Sequence, residues 1–382
     1  MRPWNAYAGF AVFGAFWGTW GASLPAIRDQ AGVSDGQLGT ALLFVGAGAL
    51  PAMLVAGRAV DRWRQRATAV LLTLLGGAGV AVAAAGHDML SLCIALAFLG
   101  AASGAADVAI NAAAGSAQRS AGGSVVTRAH ATFSAAVVLA SLLTGALRAL
   151  DVPVIAAFVV VAVAATAVAL VLVATPLEPR VAARRRARSP QNLRGGLLPL
   201  LVLGGLGALA FAVENAHQSW SALYLGDVLD AGPATAAAGP AIFAAVVAVT
   251  RFAAGAFGSD RPTAIVVGGS LLAAAGTAVL AAASNLPIGL LGLALAAAGT
   301  AVLFPTLLNV LTARVDDDVR GTATSIVTTV SYLGFLAGPV YVGRWADAAD
   351  LSGAMLAVAA LAAGLAVAAA ATLPNVRATT RS

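Results

Sequence analysis

The stretch GRAVDRWRQR, residues 57–66, follows a long apolar run and begins a loop that contains an aspartate–arginine pair and further arginines. A shorter form of it, GAFGSDR at residues 255–261, follows another apolar run. Their aspartates, Asp61 and Asp260, are 199 positions apart. A loop pattern that returns after about half of the chain indicates two similar halves that follow one another in parallel.

The longest polar segment of the chain lies between these halves. Residues 176–196 contain three prolines and six arginines, which is the composition of a linker. Asn111 and Asn309, 198 positions apart, correspond across it. We therefore divide the chain into an N-terminal bundle at 1–175, this linker, and a C-terminal bundle at 197–382.

The composition indicates a membrane protein. Charged residues make up 10% of the chain and hydrophobic residues 60%, with a mean hydropathy of +0.90, whereas soluble domains carry about 25% charged residues. Apolar runs of about 20 residues, enough to cross roughly 30 Å of hydrocarbon, predict twelve transmembrane helices in two six-helix halves, an all-α fold. The runs lie at 5–27, 37–57, 67–86, 90–115, 129–147, 153–174, 197–224, 235–257, 263–283, 288–313, 321–342 and 352–373.

The arginines predict the orientation. All 22 basic residues are arginine, and with the N-terminus inside the cell only Arg28, Arg148 and Arg344 fall outside, as the excess of positive charge in cytoplasmic loops requires. We expect a multi-pass protein of the bacterial inner membrane with both termini cytoplasmic. The net charge of +6 is explained by loops that contact anionic lipid, so nucleic-acid binding is not expected.

Residues 57–66 resemble the loop signature of the major facilitator superfamily, with Arg64 in place of a second glycine. The segments GTWGASLPAIRDQAGVSDGQLG, DVAINAAA, RAHATFS and VENAHQSWSALYL are similar to a bacterial branch that includes rhizopine-transport-type permeases. This resemblance implies the fold and a transport role, not a particular solute. The fourth run has no arginine and the fifth no Gly-Pro element, which disfavours a proton-driven multidrug exporter.

Two polar groups within the apolar runs are candidate site residues. Asp107 and Asn111 share one helical face, and a charge near the bilayer centre costs at least about 2.5 kcal/mol, so Asp107 is either functional or a hydrogen-bonded structural acid. In the seventh run, residues at i, i+3, i+4 and i+7 form a polar stripe that predicts a cavity lining. These residues are Glu214, His217, Gln218 and Ser221.

Four further residues are candidates for solute binding, and three of them have an alternative role. Trp220 is the aromatic partner of Glu214 that the resemblance implies. His130 is either a site group or a surface residue, and Trp20 is either a flat apolar face or part of an interfacial belt. Asn309 follows Pro305, whose kink either points it at the cavity or serves packing alone.

The repeated loops are candidate gating elements. The resemblance implies that Asp61, with Gly57 and Arg62, meets the N-terminus of the eleventh helix near Gly321, where free N–H groups favour an anion. The resemblance implies a similar contact of Asp260, with Arg261, at the fifth helix near Thr127. The alternative is that these are solvated loop charges.

We predict a secondary active transporter of a small polar solute, hydroxylated or amine-bearing, that is coupled to protons and works by alternating access. Glu214 is the predicted proton carrier and Asp107 the solute-binding acid, itself a possible carrier. An uncoupled facilitator and a transport-inactive sensor are the alternatives. The sequence contains no Walker loop, no Cys/His cluster and a single cysteine, Cys93, so we expect no enzyme, cofactor or metal, and a monomer that contacts lipid.

Overall fold

The computed structural model describes residues 3–121, 124–175, 196–257, 261–315 and 319–373. These residues form helices, and this part of the chain contains no strand. The first half comprises α1 Pro3–Ala31, α2 Asp35–Trp63, α3 Gln65–Ala85, α4 Met89–Ala121, α5 Val125–Ala149 and α6 Val154–Ala174. The second half comprises α7 Leu198–Asp227, α8 Pro233–Ala236, α9 Ala238–Phe257, α10 Pro262–Ala281, α11 Leu286–Ala301, α12 Leu303–Thr312 and α13 Arg320–Thr372.

The predicted fold class is confirmed. Eleven helices of the described part are long and apolar enough to cross a membrane, with α8–α9 and α11–α12 each counted as one span. At 53 residues, α13 is about 80 Å long by the helical rise, too long for one crossing. It is broken at Ala349 and Asp350, whose backbone angles are not helical. Taken as two spans it would complete twelve, and the count of twelve stays a prediction.

Local sequence sets several helix ends. Ser34 caps α2 in a capping box: its hydroxyl accepts from the Gln37 N–H at 3.2 Å, and the Gln37 side chain accepts from the Ser34 N–H at 2.9 Å. Asp88 precedes α4, and the Ser91 N–H donates to its carboxylate at 2.9 Å. This hydrogen bond holds the pKa of Asp88 below its usual value.

Small residues let the helices approach closely within and between the halves. Gly334 of α13 packs on the backbone of Ala208 in α7, where a side chain would collide with the carbonyl oxygen. Gly343 of α13 faces Gly39 of α2 across the two halves, and a Cβ added at Gly39 would lie 2.5 Å from the Pro339 carbonyl oxygen. These contacts are the small-residue packing that apolar helices use in lipid.

The two sets of helices, α1–α6 and α7–α13, are joined at one end of the bundle, which we call the acidic end. There Arg28 of α1 donates to Asp227 of α7 and, at 3.0 Å, to Asp35 of α2. The Gly36 N–H of α2 donates to Asp347 of α13 at 2.9 Å. The Ser34 hydroxyl, just before α2, also donates to Asp347, at 3.2 Å.

The opposite, basic end contains the α2–α3 loop with Arg62, Arg64 and Arg66. Residues 176–195 are outside the described part of the chain, so the predicted division at 1–175 and 197–382 stays a prediction.

Candidate functional site

A cavity of about 300 Å³ lies between the two sets of helices. One wall comes from α1, α2, α4 and α5 and the other from α7, α9 and α13. The lining is largely apolar and aromatic, with rings from both walls. These are Phe13, Trp17, Trp20 and Phe133 on one side and Phe211, Tyr332 and Phe335 on the other.

The cavity is closed towards the acidic end. Gly21 of α1 lies against Pro240 of α9, where an added Cβ would be 3.2 Å from the proline ring. Below this contact the side chain of Leu336 fills the space in front of Gly46 of α2. Towards the basic end, the side chains of Arg251 and His130 are exposed.

Asp107 faces the cavity from near the middle of α4. Asn111, one turn further on, donates its amide N–H groups to the Asp107 carbonyl oxygen and to Oδ1, both at 2.9 Å. Asp107 makes no ion pair with a described residue, although His130 and Tyr332 lie within electrostatic range of it. The pairing predicted from the i, i+4 spacing is therefore present, with Asp107 at the cavity surface.

Glu214 faces the cavity from α7, and its carboxylate is held by Arg251 of α9. Nη2 of Arg251 lies 3.2 Å from both carboxylate oxygens, and Gln218 donates to Oε1 at 3.2 Å. Arg251 is held in turn by the Ala301 carbonyl oxygen, which accepts from its Nε at 3.0 Å. That carbonyl lacks the usual helical partner because position 305 is a proline.

Two other polar residues of α7 line the cavity but are bonded within their own wall. Asn215 donates to the Phe335 carbonyl oxygen at 2.6 Å, and Ser219 donates to the Asn215 side-chain oxygen at 2.8 Å. They fix α7 against α13 and set the shape of the aromatic wall.

The structure does not bring His217 and Trp220 to the cavity lining. His217 is buried between helices, with Nδ1 2.7 Å from the Val213 carbonyl oxygen and Nε2 2.9 Å from Thr277 Oγ1. Its ring stacks on Phe243 at 5.6 Å between centroids. Trp220 is fully buried, and its indole N–H has no hydrogen-bond partner among the described residues. Both residues therefore serve helix packing and do not contact the cavity.

His130 and Asn309 lie towards the basic end and are exposed. Nδ1 of His130 is 3.0 Å from the Val126 carbonyl oxygen, and its ring packs on Phe10 of α1. The helix break before Asn309 is real, since α11 ends at Ala301 and α12 begins at Leu303. Neither residue lines the cavity between the halves.

A sequence-family model described as Major Facilitator Superfamily matches residues 6–339 and, in a second match, 259–381. The chain belongs to the major facilitator superfamily. The resemblance inferred from residues 57–66 is thereby confirmed.

Two relatives and one solved structure illustrate the membership. An uncharacterised MFS-type transporter of Yersinia pestis is 27% identical over 363 residues, 92% of this chain and 91% of the relative. Membrane protein MosC of Rhizobium meliloti is 26% identical over 361 residues, 92% of this chain and 85% of that protein. The crystal structure of a D-xylose-proton symporter is 15% identical with a TM-score of 0.75, covering 99% of each chain, so the likeness extends over the whole fold.

The superfamily loop between α2 and α3 has an unusual backbone at its one departure from the signature. Arg64 has φ 50° and ψ −125°, a conformation that glycine adopts readily and other residues adopt at a cost of about 1–3 kcal/mol. This explains why a glycine is usual there. Asp61 and Arg62 are exposed at the end of α2, Arg62 over the Trp63 ring.

Three other residues were predicted to take part in gating, and the structure describes two of them, Gly57 and Arg261. A Cβ added at Gly57 would meet no atom within 4 Å. Arg261 is exposed at the start of α10, and Asp260 lies outside the described residues.

Sequence reasoning named Trp20 but missed Arg251 and the other aromatic rings of the cavity. Arg251 lies six residues before the end of the run at 235–257, about 9 Å into the span by the helical rise, and was counted with the loop arginines. Its depth within the run was the signal. The rings of Phe211, Tyr332 and Phe335 fall in apolar runs where their type alone does not distinguish a cavity from a core.

Proposed function

We propose that the chain is a secondary active transporter of a small polar solute, coupled to protons and working by alternating access between its two halves. One observation carries the proposal: a cavity lined from both halves contains two carboxylates and is closed at one end by contacts that join the halves. A site between two parallel repeats is the arrangement in which rocking of one half against the other exposes a solute to each side in turn.

The closed acidic end indicates from which side the cavity is open in this structure. The halves are joined at the acidic end through Arg28, Asp227 and Asp347, and Arg251 and His130 are exposed towards the basic end, so we take the basic end as the side of access. If the arginine-rich loops are cytoplasmic, as the positive-inside rule predicts, this is an inward-facing state with both termini in the cytoplasm of a bacterial cell. Labelling a cysteine at Arg184 from outside intact cells would contradict that orientation.

Proton coupling is supported by the placement of two acids in an apolar wall. Asp107 faces the cavity without an ion pair to a described residue, and Glu214 faces it in a pair with Arg251 that the binding of a proton would break. The solved structure of similar fold is a D-xylose-proton symporter. We assign Glu214 as the proton carrier and Asp107 as the solute-binding acid.

Closing of the basic end is assigned to the loop acids. Asp61 at the end of α2 would meet the N-terminus of α13, near Gly321, when the halves rock towards one another at this end. Asp260 would meet the start of α5, near Thr127, in the same way.

The test is flux into proteoliposomes that contain the purified protein and a pH-sensitive dye. Solute entry accompanied by a change in luminal pH supports coupled transport. Entry without a pH change identifies an uncoupled facilitator, and binding without entry identifies a sensor, so either result overturns the proposal as stated. Solutes are chosen by a thermal-shift screen, since a ligand at 100 times its Kd stabilises a protein by about 2.7 kcal/mol.

A further inference from the structure

The charges around the cavity are unbalanced. Asp107 and Glu214 are its acidic lining residues, and no arginine or histidine is among the described residues that line it. Arg251, the base beside Glu214, uses Nη2 on that carboxylate and Nε on the Ala301 carbonyl oxygen. His130 acts on Asp107 only from a distance, without an ion pair. An anionic solute would therefore meet a repulsive site, and a cation an attractive one.

The hydrogen-bonding groups of the cavity include a free carboxylate oxygen. Asn215 and Gln218 each donate one amide N–H to a protein oxygen, and Asn111, next to the cavity, donates both of its N–H groups to Asp107. Two acceptors remain without a hydrogen bond among the described residues, Asp107 Oδ2 and Gln218 Oε1. Donors that line the cavity, among them the hydroxyls of Ser103 and Tyr332, would donate to a hydroxyl oxygen of the solute. The carboxylate favours a protonated amine, because a charged donor bonds it more strongly than a neutral one.

The aromatic rings of the cavity indicate the chemistry of the solute beyond its charged group. Phe13 stands 5.8 Å from Phe133 and 6.4 Å from Trp17, and Tyr332 stands 5.7 Å from Phe211 and 6.2 Å from Phe335. Faces of such rings attract cations and bury apolar surface. Tyr332 faces the same cavity as Asp107, from the opposite wall.

The volume of the cavity limits the size of the solute. About 300 Å³ is at the lower end of the range for small-molecule sites, roughly 300–1,000 Å³. The site therefore fits a solute with one ring rather than a large amphipathic drug.

We infer that the cavity binds a small organic cation, a protonated amine on an apolar body of about one ring, with Asp107 as its counter-ion and Tyr332 as its aromatic partner. The inference rests on the proposed transport function and narrows the class of solute, because it excludes anions and ranks uncharged solutes below cations.

The test measures binding to the full chain in lipid nanodiscs by calorimetry at pH 7. The probes are benzylamine, phenethylamine and cyclohexylamine, with benzyl alcohol and benzoate as uncharged and anionic analogues and myo-inositol as a polyol. At least one amine should bind about ten-fold or more tightly than benzyl alcohol, a discrimination expected when a partner for a buried polar group is lost. Benzoate should not bind measurably, and myo-inositol, which offers Asp107 no charge, should bind more weakly than that amine.

Matched variants identify the groups responsible. Asp107→Asn should abolish the preference for amine over alcohol, while Asp151→Asn, in an exposed turn outside the cavity, should keep it. Tyr332→Phe should keep most of the preference, and Tyr332→Leu should reduce it. Thermal unfolding of each variant checks that it is folded, and the ratio of the two affinities in one variant does not depend on how much of the sample is active.

The outcomes separate this inference from the proposed function. An amine preference that is missing from the wild-type protein, or that survives Asp107→Asn, overturns the inference, and tighter binding of myo-inositol does so even if that solute is transported. Amine binding with the expected variant pattern supports the inference. If the bound amine then fails to enter proteoliposomes, transport is refuted while the binding inference stands.

Discussion

Arg28 of α1 donates a hydrogen bond to Asp227 of α7, and the two positions are 199 residues apart, the offset that separates the two loop aspartates of the predicted repeat. The contact therefore joins corresponding positions of the two halves close to the axis that relates them. An ion pair at such a position closes the acidic end symmetrically, and it must break if that end is to open.

Asp227→Asn should shift the protein towards a state that is open at the acidic end. A partly exposed ion pair contributes about 1 kcal/mol at most, so the ratio of the two states should change about five-fold. Spin labels are attached at Asp151→Cys and Asp230→Cys, in exposed turns of the two halves, in a Cys93→Ala background. Double electron–electron resonance then measures the distance between the two labels.

The matched control is Asp29→Asn, which removes another partner of Arg28 but one within the same half. Its distance distribution should resemble that of the wild-type protein. An unchanged distribution in Asp227→Asn would show that the apolar contacts of this end hold it closed without the ion pair.

The second prediction concerns His217, which lies among packing residues and not at the cavity. His217→Ala removes a buried ring and its contacts to Val213 and Thr277, so it should cost about 2–4 kcal/mol of stability. Solute affinity of the folded fraction should change little. Gln218→Ala, its neighbour on the cavity side, should show the reverse, with weaker binding and near-normal thermal stability. A His217→Ala protein that unfolds normally but binds poorly would return His217 to the site.

These two neighbours show what helical periodicity predicts and what it leaves open. Consecutive residues point about 100° apart, so a stripe drawn through both is wide enough to face two different neighbours. Gln218 reaches the cavity, whereas His217 meets Thr277 of α10. Deciding between them requires knowing where α10 packs, which is a long-range property.

The fold was easier to predict from the sequence than the site, because it depends on the length and hydropathy of segments along the chain. The predicted run at 37–57 became α2, Asp35–Trp63, which differs mainly by the polar turns beyond the hydrocarbon. The Glu214–Arg251 contact could not be predicted from length and hydropathy. It depends on a carbonyl at Ala301 that Pro305 leaves without a helical partner and that Arg251 reaches from another helix.

The third prediction concerns the basic end. Asp61→Asn should leave the protein folded and lower turnover more than solute affinity, because the free N–H groups at the start of α13 lose an anionic partner in the closed state only. The measurement is the rate of exchange in proteoliposomes beside equilibrium binding in nanodiscs. Asp151→Asn, an acid of the opposite end, is the control for charge removal. Unchanged turnover in Asp61→Asn would assign the residue to the solvated loop.

The fourth prediction separates the two cavity acids. Glu214→Gln keeps the size of the side chain and its hydrogen bond with Gln218 but cannot exchange a proton, so it should abolish accumulation driven by a pH gradient while counterflow exchange remains measurable. Asp107→Asn should impair both processes, since it removes the acid assigned to the solute. Both are measured with labelled solute in proteoliposomes, with and without an imposed gradient.

Arg251 provides the companion to this experiment. Arg251→Gln alone leaves the Glu214 carboxylate in an apolar wall without its ion-pair partner, a costly arrangement, whereas the double variant with Glu214→Gln leaves no unpaired charge. Stability should therefore fall more in Arg251→Gln than in the double variant, by about 1 kcal/mol for a pair that is partly exposed. Gradient-driven accumulation should be lost in both, because each lacks the carboxylate–guanidinium pair that proton binding would break. Accumulation against a gradient in Glu214→Gln would make this assignment wrong, and it would leave Asp107 or His130 as the carrier, or the transporter uncoupled.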